Sequence, residues 1–129
     1  MQLQVWYTKI TLSVNRVLDT ERSLGYLLLD EMDVEFSNDD LERAYTDPDF
    51  TAGLQAALLR AFRKVTNLIS RAKDERDFYA MRSLNFEELQ GKRRGDYSMR
   101  LNKQFRLVMR FEGTGRNKRV RVINIEDYH

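Results

Sequence analysis

The sequence has 129 residues, with 22 Lys and Arg against 20 Asp and Glu and a formal net charge of +2 at pH 7. It contains no cysteine, which excludes disulfides and cysteine-based metal sites and predicts a reducing, cytoplasmic environment. Its length favours a single domain, and no apolar run is long enough to cross a membrane.

The first 31 residues carry no functional motif. Leu3, Val5 and Tyr7 alternate as in a β-strand, but the regular pattern of elements begins only after Met32, which could itself be a start codon. We therefore treat residues 1–31 as an N-terminal extension of unknown role and residues 32–129 as the functional domain.

The next part of the chain predicts one strand and several helices. A strand is expected over 33–36, followed by a short helix that begins at Ser37 or Asn38 and ends at Ala44. After a break at 46–49, apolar residues at helical spacing predict a long helix from Phe50 to Ala72 that covers the core. Residues 74–81 predict a second short helix or turn, and 83–89 an irregular segment.

The last forty residues predict three strands with basic loops. Alternating or β-branched residues place strands over 97–101, 105–111 and 119–125, joined by hairpin loops at 102–104 and 112–118. Arg106 and Arg110 share one face of their strand, while the apolar residues between them need a helical cover. The sheet therefore presents an arginine face that is open to solvent or to a ligand.

Charge is unevenly distributed along the chain. Residues 81–129 contain 12 Lys and Arg against 6 Asp and Glu, whereas residues 32–80 contain 7 against 10. The excess in the sheet segment favours a polyanionic partner, although it does not distinguish RNA from DNA or from an acidic protein.

The available chemistry narrows the choice of reaction. The chain has one histidine, no glycine-rich nucleotide loop and no serine in a G-x-S-x-G turn, so no metal or other cofactor is expected. RNA cleavage by its own 2′-hydroxyl remains, because the substrate then supplies the nucleophile. Cations stabilise the charge on the phosphorane, a histidine transfers protons, and an aromatic ring stacks on a base.

Candidate site residues lie in the same forty residues. His129 is either an acid–base group or a chain terminus without a role. Tyr128 either stacks on a base or covers the edge of the sheet. Asp127 either orients a neighbouring residue or forms a hydrogen bond within a turn. Arg106 lies between apolar neighbours and would need an anionic partner if it points inward. Phosphate contacts or a plain basic surface are expected from Lys92, Arg93, Arg94, Arg100 and Asn102.

The motif L-x-G-x-R-x-G-x-Y-S-M-R-L-N-x-Q-F-R at 89–106, followed by E-D-Y-H at 126–129, resembles the HigB branch of the RelE/ParE toxin superfamily. The resemblance covers residues 32–129. It implies an α+β fold with a RelE-like twisted, mostly antiparallel sheet and N-terminal helices on one face. It implies catalytic roles for His129, Tyr128, Asp127 and the phosphate-handling Arg106.

The resemblance also implies function and partners. The expected activity is that of a type II toxin that cleaves mRNA in the ribosomal A site, beside 16S rRNA, and so stops translation. The expected partner is a helix-turn-helix antitoxin of the HigA type, which would also connect the toxin to operator DNA. Two positions differ from the family pattern. Gln90 stands where several members have a catalytic lysine, and Asn102 stands where some members have an arginine.

Two other functions remain open at this stage. A ParE-like inhibitor of DNA gyrase would share the fold without catalysing a reaction, although it would not need a terminal Tyr-His pair. A degenerate domain that only binds its antitoxin would be consistent with Gln90.

Overall fold

The computed structural model describes residues 32–128, apart from the side chain of Arg116. The predicted extension at 1–31 and its alternating Leu3, Val5 and Tyr7 lie outside the described residues, as does His129. The described part folds as a five-stranded sheet with three α-helices, which confirms the predicted α+β class. The strands are β1 (Asp33–Phe36), β2 (Glu87–Glu88), β3 (Asp96–Arg100), β4 (Phe105–Glu112) and β5 (Arg119–Asp127). The helices are α1 (Asp39–Thr46), α2 (Ala56–Arg71) and α3 (Glu75–Ala80).

The sheet has the strand order β1-β5-β4-β3-β2. Three of its four strand pairs are antiparallel, and only β1 runs parallel to its neighbour β5. The three predicted strands of the last forty residues are thus confirmed, and β2 is a short edge strand that the sequence pattern did not resolve. None of the helices in the described region is long and apolar enough to cross a membrane.

Helix α1 begins where the sequence predicts. The Asn38 side chain accepts a hydrogen bond from the Leu41 backbone N–H at 3.1 Å and so caps the helix. Acidic residues occupy the first turn, where they stabilise the positive end of the helix dipole. The helix ends two residues beyond the predicted Ala44, at Thr46.

Helix α2 begins six residues later than predicted, so its predicted start at Phe50 is wrong. Residues 50–55 form turns instead, in which Ala52 and Gly53 adopt positive φ angles of 54° and 73°. This left-handed backbone is incompatible with an α-helix. Apolar spacing misled the prediction because Phe50, Ala52 and Leu54 do pack against the core, although they do so from a turn.

The core lies between the helices and one face of the sheet. Helices α1 and α2 contribute buried apolar residues, which meet a matching set from the three long strands. The central members are Leu41, Phe62, Ile69, Met99, Leu107, Met109, Val120 and Val122. The opposite face of the sheet carries mainly polar and charged side chains, among which Arg106 and Ser98 are buried beside the apolar Val108.

A β-bulge in β5 decides which residues reach that open face. Val108 lies opposite Asn124 and Met109 opposite Val122, so Ile123 is an extra residue in β5. In an unbroken strand, Val122 and Glu126 would point to the same side. The extra residue reverses the alternation, so Glu126 lies opposite Arg106 on the open face while Val122 stays in the core.

Candidate active site

Arg106 lies on the open face of the central strand β4, yet it is only 4% exposed. Its Nε donates to the Ser98 hydroxyl at 2.9 Å, and one terminal nitrogen donates to the backbone carbonyl of Asn85. Asn85 presents that carbonyl from a left-handed conformation with φ 46°, which asparagine tolerates better than most residues. These contacts fix the guanidinium plane, while its second terminal nitrogen, NH1, makes no hydrogen bond within residues 32–128.

Tyr128 and Glu87 complete the surroundings of the arginine. The guanidinium carbon lies 4.5 Å from the centre of the Tyr128 ring, which is a cation–π contact. The Tyr128 hydroxyl donates to Oε1 of Glu87 at 3.2 Å, and the same oxygen lies 3.7 Å from the Arg106 guanidinium. Glu87 therefore supplies the anionic partner that a buried arginine requires, and it also holds Tyr128 over Arg106.

A cleft of about 250 Å³ opens beside this cluster. Its walls come from β3, β4, the end of β5 and the turn before β3. Its lining combines two cations, two carboxylates, an aromatic ring, a hydroxyl and two apolar groups: Leu89, Arg93, Ser98, Arg106, Val108, Glu126, Asp127 and Tyr128. Tyr128 is 58% exposed, which leaves a large part of its side chain open to a ligand.

Arg93 reaches the cleft from the basic turn at 91–95. It forms a two-pronged ion pair with Glu126, with both N–O distances at 2.7 Å. The hydrogen bonds from Arg93 lower the pKa of the Glu126 carboxyl, against the opposing effect of partial burial. The predicted basic residue Arg93 is thus attached to the last strand, 33 residues away in sequence.

The remaining predicted RNA-binding residues belong to the basic turn before β3, to the end of β3 and to the β3–β4 hairpin, and they do not line the cleft. Lys92, Arg94 and Arg100 are exposed. Asn102 stabilises the β3–β4 hairpin, because its side-chain oxygen accepts hydrogen bonds from the backbone N–H groups of Gln104 and Phe105 at 2.8 and 2.7 Å. Contact of these residues with RNA stays a prediction.

The end of β5 is tied to the β3–β4 hairpin by two contacts. The Gln104 side-chain amide donates to Asp127 Oδ2 at 2.9 Å, and the Tyr128 backbone N–H donates to the Gln104 carbonyl at 2.7 Å. Asp127 therefore helps to hold the strand end beside the cleft. Arg106, Tyr128, Asp127 and Arg93 all line this cleft, whereas His129 lies outside the described residues. The catalytic and RNA-binding roles of these residues stay predictions.

Sequence reasoning missed Glu87, Ser98 and Asn85 as neighbours of Arg106. Ser98 alternates with Met99 in β3, and this alternation alone could have placed it on the arginine face. Glu87 and Asn85 come from a segment without a clear strand or helix period, so no local signal identified them. Within the described part of the chain, no three His, Cys, Asp or Glu side chains are grouped as they would be around a metal ion.

Residues 34–129 match the family described as "RelE-like toxin of type II toxin-antitoxin system HigB". The chain belongs to this family. Membership confirms the resemblance carried by the two C-terminal motifs, and it means that the chain is of the toxin type, which is defined by pairing with an antitoxin.

Comparison of structures gives a more distant similarity. A YoeB/ParE toxin from Agrobacterium tumefaciens shares 22% sequence identity with this chain, with a TM-score of 0.45. The match covers 74% of this chain and 98% of the other. No curated protein matches the sequence.

Proposed function

We propose that this HigB-family toxin is an endoribonuclease that cleaves mRNA on the ribosome without a metal ion. The supporting observation is the state of Arg106. It is a buried cation with a fixed guanidinium plane, it borders an open cleft, and its NH1 group has no hydrogen-bond partner among the described residues. Such a group is ready to accept an anion without first being reorganised.

The proposed reaction is an internal phosphoryl transfer. The 2′-oxygen of the substrate forms a bond to the adjacent phosphorus while the bond from phosphorus to the 5′-oxygen breaks. The 2′-hydroxyl proton passes to a base, and the departing 5′-oxygen receives a proton from an acid. The products are a 2′,3′-cyclic phosphate and a free 5′-hydroxyl, so no water and no cofactor are consumed.

Five residues have a role in this scheme. Arg106 neutralises the charge that develops on the phosphoryl oxygens. Tyr128, whose ring is held over the guanidinium, offers its exposed surface to a base next to the scissile bond. Glu87 and Asp127 position Tyr128 and the strand end. His129 is assigned proton transfer because its ordinary pKa lies near neutrality, and it is the only histidine.

The proposed partners follow from family membership and charge. The antitoxin is proposed to be a helix-turn-helix protein, through which alone the toxin reaches operator DNA. Lys92, Arg94 and Arg100 are exposed cations, and we propose that they contact the phosphates of mRNA in the ribosomal A site and of neighbouring 16S rRNA.

Analysis of the cleavage products tests this proposal. Purified toxin is added to ribosomes that translate a defined mRNA, and the new ends are examined chemically. We expect 5′-hydroxyl ends and 2′,3′-cyclic phosphates. Ends with 5′-phosphates would contradict attack by the 2′-hydroxyl, and an absence of cleavage together with inhibition of gyrase supercoiling would favour the ParE-like alternative.

A further inference from the structure

The end of α3 carries an apolar patch that the cleft does not use. Tyr79, in the last turn of α3, is 57% exposed, and Met81, directly after the helix, is 39% exposed. The third exposed large apolar side chain of the described residues is Tyr128, which already lines the cleft. Neighbouring exposed apolar side chains mark contact surfaces more often than single ones do. We call Tyr79 and Met81 the α3 patch.

The α3 patch rests on a cluster of aromatic rings. The Tyr79 ring packs edge-on against Phe86, with 4.8 Å between the ring centres, and Phe86 stacks on Tyr97 at 5.2 Å. Phe78 and Phe111 continue the cluster into the core. Because these neighbours hold the Tyr79 ring in place, the ring loses little conformational freedom on contact, which is the property of an interface anchor.

The N-terminal extension joins the domain close to this patch. The Met32 backbone N–H donates to the carbonyl of Ala72 at 3.1 Å, and both residues are buried. Ala72 follows the last residue of α2, and α3 begins three residues later, at Glu75. The six residues of α3 span about 9 Å, whereas an extended chain of six residues spans about 20 Å. The residues just before Met32 are therefore long enough to pass along α3 as far as the patch.

The sequence of the extension matches the surface along this path. Residues 26–29, YLLL, are four consecutive apolar residues, and an acidic pair, Asp30 and Glu31, follows them. On the domain side, Lys73 is an exposed cation between α2 and α3. Near the junction, acids in the extension are thus matched by a cation, and further on an apolar run is matched by an apolar patch. Opposite charge and burial of apolar surface both favour contact between two parts arranged in this way.

We propose that residues 26–29 pack on Tyr79 and Met81 and so cover the α3 patch within the same chain. The family match begins at residue 34, so this contact involves a part of the chain that lies outside the matched region. The contact makes the N-terminal extension part of the folded domain.

The contact also supports the strand that borders the candidate active site. Tyr79 packs on Phe86, and the next residue, Glu87, belongs to the two-residue edge strand β2. Glu87 accepts the hydrogen bond from the Tyr128 hydroxyl. A short edge strand makes few contacts and opens easily, so packing on its neighbour Phe86 limits its movement. The contact does not depend on the reaction in the cleft, and it can be tested without any RNA.

Disulfide formation tests the contact in the full chain, which has no cysteine of its own. The variant Leu28→Cys/Met81→Cys places one thiol in the apolar run and one in the patch. A disulfide requires α-carbons about 4.4–6.8 Å apart. We expect mild oxidation to give a cross-linked monomer, which is identified by its mobility on a denaturing gel with and without a reductant.

Leu28→Cys/Arg71→Cys is the matched control. Arg71 is exposed and lies next to Ala72, where the extension joins the domain. A freely moving extension would therefore bring residue 28 to residue 71 at least as often as to residue 81. A docked run holds residue 28 at the patch, so the pair with residue 81 should form its disulfide on the order of tenfold faster.

A second measurement removes the patch instead. Chymotrypsin cleaves after tyrosine and leucine, so residues 26–29 report their own exposure. In Tyr79→Ser/Met81→Ser, cleavage at these residues should be on the order of tenfold faster than in the parent, because the open form of the extension is more populated. Tyr128→Ser removes a ring of nearly equal exposure, 58%, from the other face of the sheet and should leave this cleavage unchanged.

Three results would overturn the proposal. Equal disulfide rates for the pairs with residues 81 and 71 would show that the run has no fixed place on the domain. Disulfide-linked dimers in place of monomers would assign the patch to a second copy of the chain. Equal chymotrypsin cleavage of the parent and Tyr79→Ser/Met81→Ser, with labelling of Met81→Cys slowed only by the antitoxin, would assign the patch to the antitoxin.

Discussion

Replacing Arg106 by alanine separates the catalytic contribution of this residue from its structural one. In the folded protein, the substitution removes the donor that satisfies the Ser98 hydroxyl, a group that is 1% exposed. Leaving a buried hydroxyl unpaired costs on the order of 1–3 kcal/mol. The carbonyl of Asn85, an exposed residue, can turn to water and adds little. We therefore expect the free energy of unfolding to fall by about 1–3 kcal/mol.

Arg106→Ala should also slow cleavage, and this loss of activity should be present in protein that is fully folded. Loss of a fixed donor to developing charge costs about 3 kcal/mol in the transition state, which corresponds to on the order of a hundredfold in rate. Urea unfolding gives the first quantity, and cleavage of a translated mRNA by folded protein gives the second.

Arg110→Ala is the matched control, because it removes an arginine from the same face of the same strand. Arg110 pairs with Asp96 and does not line the cleft. We expect this control to cleave within about threefold of the parent. If folded Arg106→Ala protein also cleaved within about threefold of the parent, the assignment of Arg106 to transition-state charge would be refuted.

Three further predictions concern residues around the site. Arg63→Met should lower the free energy of unfolding by about 2–4 kcal/mol in urea, because it removes charged hydrogen bonds to four carbonyls, while folded protein should keep its cleavage rate. Asn102→Ala should lower stability by about 1 kcal/mol through loss of the hairpin contacts; a fall in RNA affinity without loss of stability would show that the side chain acts on RNA instead. Because Arg93 lowers the pKa of Glu126, the pair adds stability above the ordinary glutamate pKa of about 4.3 and loses it as the pH falls through the lowered value. Glu126→Gln should therefore lower stability at pH 7 by less than about 1 kcal/mol, given the partial exposure of both groups, and this difference should narrow in acid. If the difference in unfolding free energy between the parent and Glu126→Gln grew as the pH fell, the pKa of Glu126 would not be lowered as described.

The sequence predicted those parts of the fold that depend on local periodicity. Alternation located β3 and β4 because apolar side chains such as Met99, Leu107 and Met109 recur at every second position on the core face. The start of α2 could not be predicted from apolar spacing, since the turn at Ala52 and Gly53 also directs apolar residues into the core. The parallel pairing of β1 with β5 joins residues about 86 positions apart, and no local pattern encodes it.

The position of a candidate site residue was predictable where the residue belongs to the strand pattern or the C-terminal motif. Arg106 and Tyr128 were selected in this way, and both line the cleft. Glu126 was not placed beside Arg106, because only the bulge at Ile123 turns it to the open face. Glu87 was missed because its role depends on the fold bringing a short edge strand to Tyr128.

The most direct test of the account maps mRNA 5′ ends after brief induction of the toxin in cells without the antitoxin, beside the variant His129→Gln. We expect new 5′ ends inside translated codons with the parent chain and none with the variant, which should still bind the antitoxin. Growth arrest without new ends would contradict the endoribonuclease proposal and favour gyrase as the target. An absence of arrest would favour a domain that only binds its partner.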